Sequence, residues 1–354
     1  LCSAAAASAG VACAGGGDEN PTMRNFTAAE VAEHNSPEKG IWVTYGNKVY
    51  DVTEFVANHP GGASKLMLAA GSSLEPFWEL YSFHKAEEVQ ELLADLVIGE
   101  LAPGEEAQRQ VDVNDPFSAD PVRHPALRPN SARPFNAEPP PVLLGESFIT
   151  PNDLFFVRNH LPVPVIDAEA FRLTIDGPGL TRELSLSIDD LKSFPKHEVT
   201  ATLQCAGNRR SEMLSVKPVK GLKWGGAAIS NATWGGARLV DVLEYAGVES
   251  LEALQEQGLL HVQFEGADVD GDTWYGASVP LEVALERRGE ALLAYEMNGQ
   301  PLPRDHGAPL RIVLPGIVGA RNVKWLKRVT LSHEESRSHW QRRDYKGFNT
   351  SVDW

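Results

Sequence analysis

Cysteine, basic charge and long apolar runs are all scarce in this sequence of 354 residues. Its three cysteines, Cys2, Cys13 and Cys205, are too few and too scattered for a disulfide framework, which excludes disulfide redox chemistry. The 32 basic residues against 48 acidic residues leave a net charge of −16, which argues against nucleic acid or an anionic lipid surface as the main partner. No run approaches the roughly 20 apolar residues of a membrane-spanning helix. We therefore predict no nucleic-acid partner and no membrane span.

Two sequence signatures are also missing. There is no Cys-x-x-Cys-His motif, so any haem would be held non-covalently. No Gly-x-Gly-x-x-Gly follows a predicted strand, which argues against a dinucleotide-binding fold. The length and the apolar content are otherwise those of a globular protein with two or three domains.

The first 22 residues differ from the rest of the chain. They are rich in Ala, Ser and Gly and begin with Leu1 rather than Met. They are too weakly hydrophobic to span a membrane, and they lack the Arg-rich amphipathic pattern of a transit peptide. We expect residues 1–22 to be a disordered leader or the remnant of a presequence, and the chain to have been cut from a longer one.

Residues 23–102 are predicted to form a small first domain. Thr27 and Glu30 have the Thr-x-x-Glu spacing of a helix capping box. Two short strand patterns, 41–44 and 48–52, are separated by a Gly-Asn pair that is typical of a hairpin turn. Helical patterns follow at 63–70, 76–83 and 86–93.

Two histidines in this domain indicate a haem site. His59 lies in a tight His-Pro-Gly-Gly turn beside an apolar helix, and His84 follows 25 residues later. Either histidine alone would most often be a surface residue, but two of them flanking a short apolar helical unit suit the axial ligands of a flat apolar cofactor. With both axial positions filled, the iron would pass electrons without binding substrate. Residues 24–101 resemble the cytochrome b5 family, which implies that His59 and His84 bind the iron of haem b.

Residues 103–123 are predicted to be a flexible linker. Their composition changes to Pro, Gly, Ala and charged residues without clear periodicity, which is typical of a tether rather than a core element.

Residues 124–354 carry a mixed pattern of strands and helices. The two types do not alternate regularly, so an α+β domain with a mostly antiparallel or mixed sheet fits better than a parallel α/β fold. The predicted strands are 171–176, 197–203, 260–264, 310–314 and 326–331, and the predicted helices are 188–194, 239–246 and 280–286.

A single thiol in this second domain is surrounded by basic sequence. Cys205 stands between a strand-like run and a turn, with Arg209 and Arg210 four and five residues further on. The positive charge is predicted to favour the thiolate, which is the form that binds metals, although a lone cysteine is more often a small buried apolar residue. Basic loops converging on one thiol suit an anionic cofactor and an anionic substrate. Taken singly, each loop is better explained as a solvated turn with a structural ion pair, and only the set together favours a binding site; the loops are 156–160, 304–307, 320–324 and 342–346.

These residues carry a second resemblance. Residues 124–354 resemble the molybdenum-cofactor domain of the sulfite oxidase family, and the order of the two domains is similar to that of its animal-type members. The resemblance implies that Cys205 is the thiolate ligand of molybdenum and that Arg158, Arg210 and Tyr345 line a sulfite pocket. It also implies that the molybdopterin cofactor is contacted by Phe156, Val157, Arg158, Asn159, His160, Asp268, His306, Arg311, Asn322, Val323 and Lys324.

The resemblance further implies a function. A small cytochrome b5-like haem domain would be tethered to a larger α+β molybdopterin domain. Sulfite would be oxidised to sulfate at molybdenum, and single electrons would pass through the haem to cytochrome c in the mitochondrial intermembrane space. Members of the family continue into a C-terminal immunoglobulin-like domain that carries the dimer interface. Because this chain stops at Trp354, we expect the homodimer of the full-length protein and leave that of this chain open.

Two other readings remain open from the sequence. Assimilatory nitrate reductase shares the thiolate and the haem module, but there the molybdenum domain comes first and a flavin domain follows the haem. The domain order and the absence of a flavin or nicotinamide segment here favour sulfite. The other reading is an electron-transfer fragment whose molybdenum domain is inactive.

Overall fold

The structure, a computed structural model, describes residues 23–80, 84, 86–104, 116–285, 290–347 and 351. The predicted leader, 1–22, and the central part of the predicted linker, 105–115, lie outside these residues. The chain divides into two compact units, Leu1–Ala107 and Gln108–Trp354, and the division falls within the predicted linker. Over the described ranges, no helix is both long and apolar enough to cross a membrane.

The first unit is a small sheet with short helices. Its strands are ordered β1-β6-β4-β3-β2, and β5 pairs with β3. The strands are β1 (Asn25–Phe26), β2 (Asn35–Ser36), β3 (Gly40–Tyr45), β4 (Lys48–Asp51), β5 (Ser72–Ser73) and β6 (Val97–Leu101). The helices are α1 (Ala28–Glu33), α2 (Ala63–Leu66), α3 (Glu75–Leu80) and α4 (Glu87–Ala94), with 3₁₀ turns at Val56–Asn58 and Met67–Ala69.

Local sequence signals account for much of this unit. The predicted capping box is confirmed: the Glu30 amide donates to Thr27 Oγ1 at 3.1 Å, and the Thr27 amide donates to Glu30 Oε2 at 2.8 Å. The predicted hairpin is also confirmed, with Gly46 in the left-handed region at φ 61°. The predicted helix 76–83 begins at Glu75, and its last three residues lie outside the described part of the chain.

The second unit contains longer strands and short helices. Its strands are β7 (Arg128–Ala132), β8 (Phe135–Glu138), β9 (Val157–Arg158), β10 (Leu173–Asp176), β11 (Leu184–Leu186), β12 (Lys196–Gln204), β13 (Ile229–Arg238), β14 (His261–Asp270), β15 (Thr273–Pro280), β16 (Leu292–Met297), β17 (Gln300–Pro301), β18 (Arg311–Val313) and β19 (Leu326–Ser332). Its helices are α5 (Pro141–Leu144), α6 (Ile188–Lys192), α7 (Arg210–Met213), α8 (Leu239–Tyr245), α9 (Leu251–Glu256) and α10 (Leu281–Leu285). Tight turns are the 3₁₀ segments Asn152–Leu154, Arg304–His306 and Gly319–Arg321, and the π-helical turn is Trp340–Asp344.

The sheets of this unit are mostly antiparallel and one of them is mixed, as the sequence predicts. One has the order β11-β10-β19-β14-β15, in which β10 and β19 are parallel and the other neighbours are antiparallel. A second has the order β12-β13-β16-β17, with β18 on β16, and a third is β7-β8-β9. The predicted strands and helices of the second domain are all present, and the α+β class is confirmed. The elements that were not predicted are strands β7, β8, β9, β11, β13, β15, β16 and β17 and helices α5, α7 and α9.

The alternation of β12 places the thiol. Val199, Ala201 and Leu203 are buried, while the residues between them face solvent, as the period of two in a strand requires. Cys205 continues the buried series one residue past the strand end and is 6% exposed. It therefore joins an apolar cluster that includes Trp224.

Part of the predicted linker is anchored to the second unit. The Arg123 guanidinium bridges Asp120 and Asp305, with nitrogen–oxygen distances of 2.9 and 2.8 Å. Arg304 Nη1 donates to the carbonyl of Ala119 at 2.8 Å. These bonds attach the end of the range 103–123 to the loop that follows β17.

Candidate active site

In the first unit, the two predicted haem ligands face each other. The ring centroids of His59 and His84 are 6.2 Å apart, and the rings are nearly parallel at 11°. This spacing leaves room for one metal ion between the rings, because imidazole–metal bonds are about 2 Å long in protein sites. Trp78 stacks on His84 at 5.6 Å, and Phe55 meets His59 edge-on at 5.9 Å. The pair therefore has the apolar surroundings that a flat aromatic cofactor needs.

The His-Pro-Gly-Gly turn sets the tautomer of His59. Its Nδ1 lies 3.1 Å from the carbonyl oxygen of Gly62. Because a carbonyl only accepts, Nδ1 carries the proton and Nε2 is left as the metal-binding nitrogen. A Cβ at Gly61 would lie 2.8 Å from His59 Cε1, so a side chain there would displace the ring.

In the second unit, the predicted site residues converge on one cleft. The empty space in this cleft, including the part that is open to solvent, is about 640 Å³. The thiol of Cys205 lies in its wall, beside Arg158 and Tyr345. Its lining residues are Phe155, Phe156, Arg158, His160, Leu203, Cys205, Ala206, Asp268, Tyr275, His306, Arg311, Gly319, Ala320, Asn322, Lys324, Trp325 and Tyr345.

Burial dominates the acidity of the thiol. It raises the pKa of Cys205, while the Gly207 amide, which donates to the sulfur at 3.4 Å, and the nearby Arg158 and Arg210 lower it by a smaller amount. Of the two predicted arginines, Arg210 acts with the predicted sign, whereas Arg209 pairs with Glu212 at 2.6 Å and is not among the groups that lower the pKa of the thiol; burial outweighs the arginines. The expectation that they make the thiolate the favoured form is therefore wrong for the chain by itself, and ligation of a metal would have to displace the proton.

Arg158, Tyr345 and His160 form a hydrogen-bonded group at the cleft. Arg158 Nη2 donates to the phenol oxygen of Tyr345 at 3.4 Å, and His160 Nε2 lies 2.7 Å from the same oxygen. Burial raises the pKa of Tyr345 and lowers that of His160 well below its ordinary value, so the phenol keeps its proton and the imidazole is neutral. Because a guanidinium only donates, the arrangement that satisfies all three groups directs the phenol proton at His160. Arg158 is itself held by Asn136, whose Oδ1 accepts from Nη1 at 3.0 Å.

Two further cations, the buried Arg311 and the part-buried Lys324, also line the cleft. Within the described residues, the hydrogen bonds of Arg311 go to the backbone carbonyls of His306, Asn322 and Ile312, and burial lowers the pKa of Arg311 to about 9. Burial also lowers the pKa of Lys324, whose ammonium donates to Asp305 O at 2.7 Å and to Asn159 Oδ1. Cations buried without matching carboxylates are costly, which indicates that this region is built for an anion.

Two buried carboxylates, Asp305 and Asp268, balance this set in part. Asp268 is 2% exposed, and its Oδ1 has no hydrogen-bond partner within the described part of the chain. Burial raises the pKa of its carboxyl group, against the opposing effect of Lys324. An unpartnered buried oxygen facing the cleft suits a ligand that carries N–H groups, such as a pterin ring. The cleft thus offers a thiol, cations and a carboxyl acceptor, which is a donor set that fits a molybdopterin cofactor.

Most of the predicted cofactor contacts line the cleft, and three do not. Phe156, Arg158, His160, Asp268, His306, Arg311, Asn322 and Lys324 are in its wall. Asn159 lies behind it, donating to Asp305 Oδ1 at 3.0 Å and accepting from Lys324. Val157 is 2% exposed in the apolar cluster with Leu127, and Val323 is fully buried in the main core.

Arg210 of the predicted substrate pocket also stands outside the wall. Its Nη1 donates to the carbonyl of Leu222 at 2.9 Å. Its guanidinium packs against Gly207 and Gly221, where an added Cβ would come within 2.8 and 2.7 Å of it. Arg210 contributes positive charge near Cys205 from this position.

Three aromatic residues of the wall, Phe155, Tyr275 and Trp325, were not predicted as site residues. Tyr275 is fully buried on β15, donates to Ala320 O at 2.8 Å and stacks on His160 at 4.4 Å. Trp325 is 1% exposed, with a left-handed φ of 49°, and its Nε1 donates to Arg304 O at 2.8 Å. Such backbone conformations are rare outside glycine and concentrate at functional sites. The signal for Trp325 in the sequence was its place next to Lys324.

The neutral state of His306 predicts an acid-sensitive fold. Its Nε2 lies 3.0 Å from the carbonyl oxygen of Asn152, and burial lowers its pKa to about 4 from an ordinary value of about 6.5. The unfolded chain then binds the proton more tightly, so stability is lost as the pH falls from 6.5 to 4, by up to about 3 kcal/mol. Urea unfolding of the cofactor-free chain across this range measures the loss. His306→Asn keeps a donor for Asn152 and should flatten the dependence, whereas the exposed His333→Asn should not. An equal slope in all three proteins would contradict this assignment.

Two family models match the chain. The model described as "Cytochrome b5-like Heme/Steroid binding domain" matches residues 27–102, and the model described as "Oxidoreductase molybdopterin binding domain" matches residues 160–340. The second match covers half of the chain. Together they identify haem b as the cofactor of the first unit and a molybdenum–molybdopterin cofactor in the second.

Several curated proteins are similar over most of the chain. Mitochondrial sulfite oxidase of Homo sapiens is 61% identical over 330 residues, which cover 93% of this chain and 60% of the human protein. Sulfite oxidase of Gallus gallus is 58% identical over 336 residues, which cover 94% of this chain and 72% of the chicken protein. Nitrate reductase [NADH] 1 of Phaseolus vulgaris is 42% identical over 232 residues, which cover 64% of this chain and 26% of the bean protein. The chain spans about 60% of the length of its human relative.

Proposed function

The chain belongs to the sulfite oxidase family, and on that premise we propose that it oxidises sulfite to sulfate at a molybdenum centre and passes the electrons one at a time to a haem b. One observation supports this proposal above the others. The Cys205 thiol, the Arg158 guanidinium and the Tyr345 phenol share the wall of one cleft, and the rest of that cleft presents cations that suit an anionic cofactor.

We propose the following roles for the chain's own residues. Cys205 supplies the protein's sulfur ligand, and a soft thiolate suits a metal that is already held by a sulfur-donor cofactor. Arg158 binds the sulfite oxyanion through forked hydrogen bonds, and Tyr345 orients it through its phenol. Arg210 adds positive charge from behind the cleft. The other proposed cofactor contacts keep the assignments given above, with Lys324 and Arg311 neutralising the cofactor's negative charge.

When bound, the molybdenum cofactor supplies the oxygen-atom transfer and accepts two electrons. The protein's task is to bind the anion and to hold the phenol proton at His160. Arg158 meets these needs because Asn136 Oδ1 and Asn159 O fix its Nη1 at 3.0 and 2.6 Å, which leaves the Nη2 side of the fork for the phenol and the substrate. A preorganised donor of this kind costs no reorganisation during the reaction.

The two histidines of the haem site complete the proposed electron path. His59 and His84 would hold the haem iron, and with both histidines bound the haem would exchange electrons without binding substrate. Cytochrome c is the proposed acceptor, and the mitochondrial intermembrane space is the proposed location. We also propose the domain boundaries 23–102 and 124–354, joined by a linker at 103–123, and a homodimer for the full-length protein.

Sulfite should reduce the haem of the intact protein. Purified protein, with its molybdenum and iron content measured, would be mixed with sulfite in the absence of oxygen while the Soret and α bands are recorded. We expect both bands to shift to the reduced form within the mixing experiment, because each sulfite delivers two electrons to a chain that holds a one-electron acceptor.

Nitrate provides the matched comparison. After reduction by dithionite, nitrate should leave the reduced haem bands unchanged, and their rapid reoxidation would favour a nitrate reductase. Haem bands that do not respond to sulfite in a molybdenum-replete sample would contradict the proposed activity and favour an inactive electron-transfer protein.

A further inference from the structure

The backbone of Tyr345 is held by a side chain that lies outside the cleft. Arg321 Nη2 donates to the carbonyl oxygen of Tyr345 at 2.9 Å. Tyr345 directly follows the π-helical turn Trp340–Asp344, and its amide donates to Trp340 O at 3.0 Å. Carbonyls at the end of a helix have no partner within the helix, and single π turns often occur at functional sites. Arg321 thus holds the backbone at the end of this turn, at the residue whose side chain lines the cleft.

The turn that carries Arg321 is fixed relative to the thiol. An added Cβ at Gly319 would lie 2.8 Å from the carbonyl oxygen of Gln204, the residue before Cys205. The carbonyl of Ala320 accepts from the Tyr275 phenol at 2.8 Å. Gly319 and Ala320 both line the cleft. Arg321 therefore connects the segment of Tyr345 to the same backbone that abuts the cysteine loop.

The surroundings of Arg321 indicate a built position rather than a surface contact. Its Nη1 is buried and lacks a hydrogen-bond partner among the residues described. Burial lowers its pKa, with the nearby Tyr275, Glu335 and Tyr345 acting in the opposite direction. A buried donor without a partner costs free energy. A shorter side chain with one donor would avoid the unpaired Nη1, so stability alone does not account for an arginine at this position.

We propose that Arg321 is a positioning residue for Tyr345, holding the phenol at its contacts with Arg158 and His160. This inference rests on the proposed function, in which the phenol orients sulfite. A displaced phenol loses the 2.7 Å contact with His160 and the 3.4 Å contact with Arg158. Misplacement of a site group by about 1 Å costs on the order of 100-fold in rate.

Kinetics of the intact protein with both cofactors test this role. We expect Arg321→Met to lower kcat/KM for sulfite-driven haem reduction by about 10- to 100-fold. Arg321→Lys keeps one donor and should recover part of the loss. Arg342→Met is the matched control, since Arg342 lies on the same π turn but pairs with Glu334 at the surface, and it should leave kcat/KM unchanged.

A double-mutant cycle separates positioning from a general structural role. In a Tyr345→Phe background, which lacks the phenol, Arg321→Met should cost less than about threefold, because interacting residues are not additive. The same large loss in both backgrounds would overturn the proposal.

A spectroscopic arm does not depend on turnover. With 3-fluorotyrosine installed at position 345, the wild-type chain should give one narrow fluorine resonance that is shifted and broadened in Arg321→Met and unchanged in Arg342→Met. An unmoved resonance in Arg321→Met would overturn the proposal. If the resonance shifts in Arg321→Met as expected but the wild-type protein does not oxidise sulfite, the positioning role is supported and only the proposed function is refuted.

Discussion

Cys205→Ser is expected to leave the haem spectrum intact and to lower sulfite-driven haem reduction by at least ~10³-fold, as removal of a reactive side chain does in other enzymes. A serine hydroxyl is a harder ligand and a much weaker acid than a thiol. The site already raises the pKa of the thiol by burial, and the same burial would oppose an alkoxide more strongly. Stopped-flow recording of the Soret band after anaerobic mixing with sulfite, with molybdenum assayed in the same sample, measures the effect.

The same chain offers a chemically matched control. Cys13→Ser makes the identical replacement outside any patterned region of the sequence and should reduce its haem at the wild-type rate. Loss of folding is a poor alternative explanation for the Cys205 variant, because a thiol-to-hydroxyl exchange in an apolar cluster costs roughly 1 kcal/mol. Wild-type reduction rates in a molybdenum-replete Cys205→Ser protein would refute the ligand assignment.

The haem half of the molecule was largely readable from the sequence because its signals are local. A capping box, a Gly-Asn hairpin and a His-Pro-Gly-Gly turn each act over a few residues, and the structure shows the first two as predicted. The facing geometry of His59 and His84 required the fold, but the apolar helices between them already indicated it. Short-range chemistry of this kind survives in any tertiary context.

The sequence pattern failed to predict strand β13. Its Trp-Gly-Gly run contradicts strand propensity, so the sequence favoured no strand there. In the structure an added Cβ at Gly236 would overlap the carbonyl oxygen of Leu293 on β16, at a register shift between Gly235 and Gly236. The glycines are required by the close approach of a neighbouring strand, and that neighbour is distant in sequence.

The candidate site was likewise predictable only where its signals are local in sequence. The basic loops and the lone thiol marked where chemistry lies, yet the network behind them did not appear in the sequence. Arg123 holds Asp305 across 182 residues of chain, and Asp305 in turn accepts from Asn159. Likewise, burial reversed the predicted ionisation of Cys205, and burial is a property of the whole fold rather than of the flanking arginines.

Substitution of Lys324 tests the electrostatics of the cleft most directly. Its ammonium is part-buried beside Arg311 and Arg158, which oppose its charge, while Asp305 and Asp268 favour it. Burial is the largest effect and lowers its pKa. An anionic cofactor would restore the charge by pairing with it, so the site gives up stability in the free chain in order to bind the cofactor tightly.

Lys324→Met should therefore separate binding from folding. Loss of a buried charged partner costs about 2–5 kcal/mol of binding, so we expect the variant to retain less than about a tenth of the wild-type molybdenum while its haem content stays unchanged.

In the cofactor-free wild type, the lowered pKa of Lys324 means that the unfolded chain binds the proton more tightly, and the free energy of unfolding should rise as the pH rises from that lowered value towards the ordinary value of about 10.4. The variant should lose this rise. Lys327→Met removes a surface ammonium paired with Glu265 at 2.8 Å and should change neither property. Wild-type molybdenum content in Lys324→Met would show that the cation is not needed for the cofactor.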